Sequence, residues 1–244
     1  MEFQDKTALI TGGTAGIGQQ TAILLARGGA SVIVTGRDAE RGAGAVATIA
    51  AAGGSARYIP ADLGDLASVQ QLAAQAGSVD ILVNNAGSFP TAATVDQDVA
   101  SFQEIFDTNV RGAFFLTAAL VPDMLAKGSG SIVNVTTMAA EIGMAGAAVY
   151  SASKAALASL TRTWAAEFSG SGVRVNSVSP GPTATIGVMA VWGEDAINGL
   201  GAGLPIGRPG TADEIAEAIV FLASDRASFV TGATIHADGG RTAI

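Results

Sequence analysis

Seven short runs of β-branched and aliphatic residues recur along the chain, separated by six longer stretches rich in alanine and leucine at helical spacing. The runs lie at 7–11, 31–35, 56–60, 81–84, 131–135, 174–178 and 233–236, the helical stretches near 16–27, 38–51, 66–75, 102–127, 150–170 and 211–224. Most runs read as nearly continuous apolar segments rather than alternating ones, which is the pattern of strands covered on both faces. Strand–helix repetition with right-handed crossovers then predicts a doubly wound α/β fold, a parallel seven-stranded sheet with helices on both faces. No linker or solenoid repeat interrupts it, and 244 residues suffice for one domain, 1–244, with its own core.

Two segments break the rhythm. Residues 88–99 are turn-rich, and residues 182–210 carry proline, glycine and little periodicity, as expected of a long loop serving as a substrate lid. Both follow the carboxyl ends of strands, where ligands sit in open α/β sheets.

The turn after the first strand is Thr11-Gly12-Gly13-Thr14-Ala15-Gly16-Ile17-Gly18. Gly12 permits a tight turn, Gly16 a close approach of backbone to a pyrophosphate, and Gly18 the packing of helix on sheet. Free amides at the helix start, with Thr14 and Ile17 in the same loop, complete a Rossmann-like phosphate cradle, although the pattern alone is also that of an ordinary glycine-rich turn. The second strand ends Val34-Thr35-Gly36-Arg37. Gly36 stands where an NAD site places an acid, and the Arg37 guanidinium can form paired charge-assisted bonds to a phosphate. NADP(H) is therefore favoured over NAD(H).

Composition narrows the function further. The formal net charge of −8 opposes a polyphosphate backbone, so no nucleic-acid partner is expected. The absence of cysteine removes disulfides, thiolate catalysis and Cys–zinc sites, and the lone His236 cannot build a histidine metal site, so no metal is expected. Residues 1–6 lack the basic-then-apolar order of a secretory signal, and no apolar run approaches the ~20 residues that span a bilayer. The expectation is a cytoplasmic protein with no membrane partner.

Tyr150-Ser151-Ala152-Ser153-Lys154 places a phenol and an ammonium four residues apart, on one helix face with Cβ atoms roughly 5–6 Å apart. Positive charge stabilises phenolate, so Lys154 is expected to lower the Tyr150 pKa from ~10 towards working pH, as a general acid/base requires. Asp62-Leu63, Asn84-Asn85-Ala86-Gly87, Asn109, Pro180-Gly181 and Thr231-Gly232-Ala233 accompany the pair in order. With these motifs the chain resembles the short-chain dehydrogenase/reductase family over essentially its whole length.

The resemblance implies hydride transfer between nicotinamide and a carbonyl/alcohol pair, and a homotetramer, with a homodimer as the alternative. It implies that Asp62 and Leu63 contact adenine, that Asn85, Ala86 and Gly87 pass the adenosine ribose, and that Asn84 locks neighbouring strands. Lys154, beside Tyr150, would also hold the nicotinamide ribose, and Asn109 a relay water behind it. Pro180, Gly181, Thr183 and Thr185 would border the nicotinamide, the two threonines touching its carboxamide. In relatives the helices at 102–127 and 150–170 pair between subunits, which makes Trp164 a packing residue or dimer anchor.

Some positions depart from the family pattern. Thr137 stands where the family has serine, and its hydroxyl is expected to orient the substrate oxygen, with Thr136 as the substitute. Its extra methyl narrows the site. Ala15 replaces the basic residue of many NADP-preferring relatives, and the stretch between Asp65 and Asp80 looks one helical turn short. No basic residue in 128–131 or 169–172 complements an acidic acyl carrier.

Phe89, Pro90, Met138, Ile142, Met144 and Trp192 form an apolar crevice wall, and no Lys or Arg lies between Thr183 and Arg208. The substrate expected is a small hydrophobic ketone or aldehyde, or a secondary alcohol. The alternatives are a 3-oxoacyl thioester reductase serving an acyl-carrier protein and a dinucleotide-sensing protein without turnover. Retention of both Tyr150 and Lys154 speaks against the latter. His236 is expected to be structural, without an acidic partner.

Overall fold

Strands β1 (Thr7–Thr11), β2 (Ser31–Gly36), β3 (Ser55–Pro60), β4 (Ile81–Asn84), β5 (Gly130–Val135), β6 (Val173–Pro180) and β9 (Thr234–Ala237) form one parallel sheet in the order β3-β2-β1-β4-β5-β6-β9 in the computed structural model, which describes residues 1–244. Two further short strands, β7 (Thr183–Ala184) and β8 (Gly210–Thr211), pair with each other apart from it. Between strands run α1 (Gly16–Arg27), α2 (Ala39–Ala51), α3 (Leu66–Ala76), α4 (Val99–Phe106), α5 (Ala113–Lys127), α6 (Ala148–Phe168), α7 (Ile186–Trp192), α8 (Glu194–Ala202) and α9 (Ala212–Ala223). The expected doubly wound α/β architecture is present.

Each central strand feeds two cores because successive side chains point to opposite faces. Ile10, Val83 and Val133 join Leu25, Ile49 and Ile219 on the face covered by α1, α2 and α9. Their neighbours Leu9, Leu82 and Ile132 join Leu72, Leu116 and Leu157 under α3, α5 and α6. Each of these aliphatic side chains, fully withdrawn from water, contributes about 1.5–3 kcal/mol. No helix is long and apolar enough to cross a membrane.

Most helices begin on a side-chain acceptor: Asp38, Asp65, Asp98 and Thr185 cap α2, α3, α4 and α7. Helix α9 carries a reciprocal capping box between Thr211 and Glu214. Helix α1 is the exception that matters below, since Ala15 offers its first amides no acceptor.

The structure corrects two expectations. The single helix expected at 102–127 is α4 and α5 joined by a π-helical turn, Asp107–Gly112. A π turn adds one residue to a single turn of helix, a phase shift too local for apolar spacing to reveal. Its position is set by close contact: a Cβ at Gly112 would collide with the Leu63 carbonyl. The segment 182–210 is not a loop but β7, α7 and α8. Gly187, Gly193, Gly199, Gly201 and Gly203 interrupt its pattern, and α7 buries no side chain at all. Segment 88–99 is irregular as expected, except for a 3₁₀ turn at Thr94–Asp96.

Because β1, β4, β5 and β6 are adjacent and parallel, the segments leaving their carboxyl ends emerge at one edge. Residues 12–18, 85–87, 136–140 and 181–185 therefore meet there.

Candidate active site

The glycine loop is shaped by what it cannot carry. Gly12 (φ 64°) and Gly16 (φ 53°) occupy the left-handed region that side chains disfavour. A Cβ on Gly18 would strike the Gly12 carbonyl and lie 2.5 Å from Asn85 Nδ2, so helix α1 can approach the loop only without one. Thr11 and Asn85 tie this loop to the end of β4: Asn85 Nδ2 donates to the Thr11 and Gly12 carbonyls at 2.9 and 3.2 Å. Thr11 Oγ1 in turn accepts from the Asn85 and Ala86 amides, both at 3.0 Å. The outcome is a glycine-lined ledge ending at the uncapped amides of α1, which suits a pyrophosphate.

At the end of β2, Arg37 is exposed, and a Cβ on Gly36 would sit 3.1 Å from Thr14 Oγ1. Asp38, next in sequence, caps α2 by accepting from the Arg41 amide at 3.0 Å and also takes Arg41 Nε at 3.0 Å. Asp62 is exposed at the end of β3, its Oδ1 accepting from the Gly64 amide at 2.9 Å, while Leu63 is buried. Ile17 lies half-buried against the core.

Lys154 is 3 % exposed, and its ammonium donates to the Val135 carbonyl at 2.8 Å. Burial brings it down from its ordinary 10.5 to about 8. Asn109, held in the π turn, uses Nδ2 on the Ser88 carbonyl at 2.9 Å and Ser153 Oγ at 3.0 Å, and Oδ1 on the Ser88 amide at 2.8 Å. Gly87 lies between the two: a Cβ there would be 3.3 Å from Lys154 Nζ and 3.4 Å from Asn109 Oδ1. This space, which a methyl group would fill, together with the glycine-lined turn after β1, fits a dinucleotide that runs past residues 85–87 towards Lys154 and Asn109.

Tyr150, half-buried in the first turn of α6, packs its ring edge-on to Phe89 with centroids 6.3 Å apart. Burial pushes the phenol above its ordinary value, and the Thr137 hydroxyl pulls it back. The expected depression by Lys154 is therefore not found in the free protein, where the buried ammonium is engaged with Val135 and the apolar surroundings oppose ionisation of both groups. Thr136 is buried and donates to the Val178 carbonyl at 3.0 Å, whereas Thr137 lies half-buried beside the phenol.

Beyond β6, buried Pro180 leads to Gly181, where a Cβ would be 2.7 Å from Asp238 Cα. Thr183 is buried and donates to the Gly181 carbonyl at 2.9 Å. Thr185 caps α7 and packs on the glycine loop, its side chain 3.4 Å from where a Gly16 Cβ would be. On the open side lies a groove of about 440 Å³ between Thr91–Ala93, Met144–Ala147 and Trp192, with no charged residue in its wall. Of the wall expected from the sequence, Met144 and Trp192 line this groove, whereas Phe89, Pro90, Met138 and Ile142 do not.

Several participants were missed. Ser153 supports Asn109 and is itself anchored to the Tyr150 carbonyl at 2.7 Å. Thr11 is the shared acceptor of the two loops, and its only sequence signal is its place at the end of a strand before glycine. His236 does have an acidic neighbour, Glu141, with Nδ1 and Oε1 3.4 Å apart. The two lie far apart in sequence, so spacing gave no sign of it.

A family model described as enoyl-(acyl carrier protein) reductase matches residues 12–242. The chain is 41 % identical over 248 residues to the cis-4-hydroxycyclohexanecarboxylate dehydrogenase of Sinomonas cyclohexanicum, covering 99 % of this chain and 98 % of that one. To the 3-oxoacyl-[acyl-carrier-protein] reductase of Escherichia coli (strain K12) it is 37 % identical over 244 residues, 98 % of each. Among solved structures, a short chain dehydrogenase/reductase family protein covers 100 % of both chains at 59 % identity and a TM-score of 0.95. An Agrobacterium tumefaciens structure with bound NADP covers 100 % of this chain and 98 % of that one at 35 % identity and a TM-score of 0.92. The chain belongs to the short-chain dehydrogenase/reductase family, nicotinamide-dependent oxidoreductases acting on CH–OH groups.

Proposed function

We propose that the chain is an NADP(H)-dependent reductase of small hydrophobic ketones and aldehydes, with oxidation of the corresponding secondary alcohols as the reverse. The observation that carries this reading is the meeting of Lys154, Asn109 and Gly87 beside the Tyr150–Thr137 pair, at the edge where the glycine ledge ends. When bound, the nicotinamide supplies or accepts the hydride. Tyr150 gives its phenolic proton to the carbonyl oxygen, and its phenolate takes the proton back in the reverse direction. Thr137 donates a hydrogen bond to the same oxygen and steadies its developing charge; Thr136 is committed to Val178. Lys154 holds the ribose hydroxyls and, with a pKa near 8, can return a proton towards Tyr150 at neutral pH. Asn109 keeps that proton path in place.

Glycine at position 36, Thr14 against it and exposed Arg37 support NADP(H) over NAD(H). Asp62, Leu63, Asn85 and Ala86 take the adenosine half in this reading, and Pro180, Gly181, Thr183 and Thr185 the nicotinamide half. The uncharged groove under Trp192 supports an apolar substrate, with 182–210 as its lid in a single domain. Exposed Phe114 and Phe115, which line a groove shared by α5 and α6, support pairing of subunits on that face, the first step towards a homotetramer. A cytoplasmic location follows from need of the dinucleotide pool, and subcellular fractionation tests it.

Likeness to the Escherichia coli enzyme supports a second reading, reduction of 3-oxoacyl thioesters. One assay separates them: NADPH and NADH oxidation over ketones, aldehydes and acyl-carrier thioesters. Activity confined to the thioesters would replace the first reading, and no oxidation across the panel would overturn both.

A further inference from the structure

The acid nearest the end of β2 is Asp38, and a free carboxylate there would repel a ribose 2′-phosphate. It is not free. Asp38 Oδ1 accepts the Arg41 amide at 3.0 Å and Oδ2 accepts Arg41 Nε at 3.0 Å. The bond draws the Arg41 side chain back from the first turn of α2 towards the helix start, which directly follows Gly36 and Arg37. Only Nε is committed; neither terminal nitrogen of that guanidinium bonds to protein. The pair is well exposed, 61 % and 43 % for the two side chains, so it is weakly held and open to a stronger anion.

Resting on the NADP(H) reading above, we propose that the Asp38–Arg41 pair is a cofactor-specificity device, in which Asp38 aims Arg41 at the 2′-phosphate and is itself neutralised. Arg37, Arg41 and the Thr14 hydroxyl, which lies against Gly36, would together hold the phosphate. The arrangement supplies from α2 the second positive charge that Ala15 does not supply from the glycine loop. It also explains how an acid adjoins an NADP site without reversing its preference: the carboxylate is consumed twice over.

The test is equilibrium binding of NADPH and NADH, followed by nicotinamide fluorescence, to the wild type, Arg41→Ala and Arg37→Ala. Arg41→Ala is expected to weaken NADPH by about tenfold or more, the effect of a lost hydrogen bond to a charged group, and to leave NADH unchanged or tighter. Both substitutions are at exposed positions, so thermal melting should show a folded protein. A wild type that binds the two dinucleotides equally would overturn the NADP(H) reading, and this device with it. A wild type that prefers NADPH, together with an Arg41→Ala variant that keeps the same NADPH-to-NADH ratio, would overturn the device alone. Asp38→Asn checks the aiming role: it keeps a capping oxygen but loses the charge that holds Nε, and NADPH should bind less tightly than to the wild type. Tighter NADPH binding by Asp38→Asn would mean that the carboxylate repels the phosphate rather than orienting Arg41.

Discussion

Replacing Lys154 by methionine should make this protein more stable and at the same time stop its turnover. Lys154 is 3 % exposed, with no acid beside it, and burial alone takes its ammonium from 10.5 to about 8. At ~1.4 kcal/mol per pH unit that is about 3 kcal/mol against the charged form. Methionine fills much the same volume without charge, but the bond to the Val135 carbonyl at 2.8 Å is lost, at about 1 kcal/mol. The net gain is about 2 kcal/mol, or roughly 4–8 °C in Tm for a chain of this size. The pH dependence has a definite sign. Below pH 8 the amine is charged in both folded and unfolded chains, and the wild type bears the full penalty. Between 8 and 10.5 the folded chain has released its proton while the unfolded chain still holds it, so wild-type stability rises with pH. Melts of both proteins from pH 7 to 10.5 should show the gap closing over that window and then reversing slightly. A variant that melts at or below the wild type at pH 7, or a gap flat across the series, would refute this accounting.

Other expectations are sharper on activity than on stability. Tyr150→Phe should bind NADPH as the wild type does and lose about 10²–10⁴-fold in turnover, measured by fluorescence titration beside steady-state kinetics; full turnover would end the proposed mechanism. Thr137→Ser should retain most activity and Thr137→Ala little. Because the Thr137 hydroxyl pulls the Tyr150 pKa down, its loss should move the rise of alcohol oxidation with pH to higher pH, and an unmoved profile would separate Thr137 from the phenol. Gly18→Ala forces a methyl into the Gly12 carbonyl, so dinucleotide binding should fall sharply in a calorimetric titration, more than for Gly44→Ala, where a Cβ meets open space.

The centre of the sheet was legible because β1, β2, β4, β5 and β6 are buried on both faces and mostly read as nearly unbroken apolar runs, and β1 and β4 have the expected bounds, whereas the edge strands β3 and β9 are only partly covered. Tyr150, Lys154 and the glycine loop were legible as local spacings. The π turn around Asn109 was not, since one extra residue in a single turn shifts the helical phase too locally to show in the apolar pattern. Helices α7 and α8 escaped because they are short and interrupted by glycine, and α7 has only half-buried residues, Val188, Met189 and Trp192, to mark its inner face. The electrostatics of Tyr150 also lay beyond the sequence: helical spacing brings two residues to one side but does not say that Lys154 will spend its hydrogen bond on β5.

Asn84 and Asn134 are direct partners across β4 and β5, and the amide of one donates to the other at 2.9 Å. Asn134 continues to Thr161 of α6 at 2.8 Å. Such a rivet tolerates no slippage between the two strands, for a shift of one residue would strand both amides among hydrocarbon. The segments that follow the two strands, residues 85–87 and 136–140, therefore leave the sheet at fixed relative heights. Under the proposed function the chemistry is anchored on the sheet, and α7 and α8, which take no part in these bonds, can be redrawn by mutation to admit new substrates.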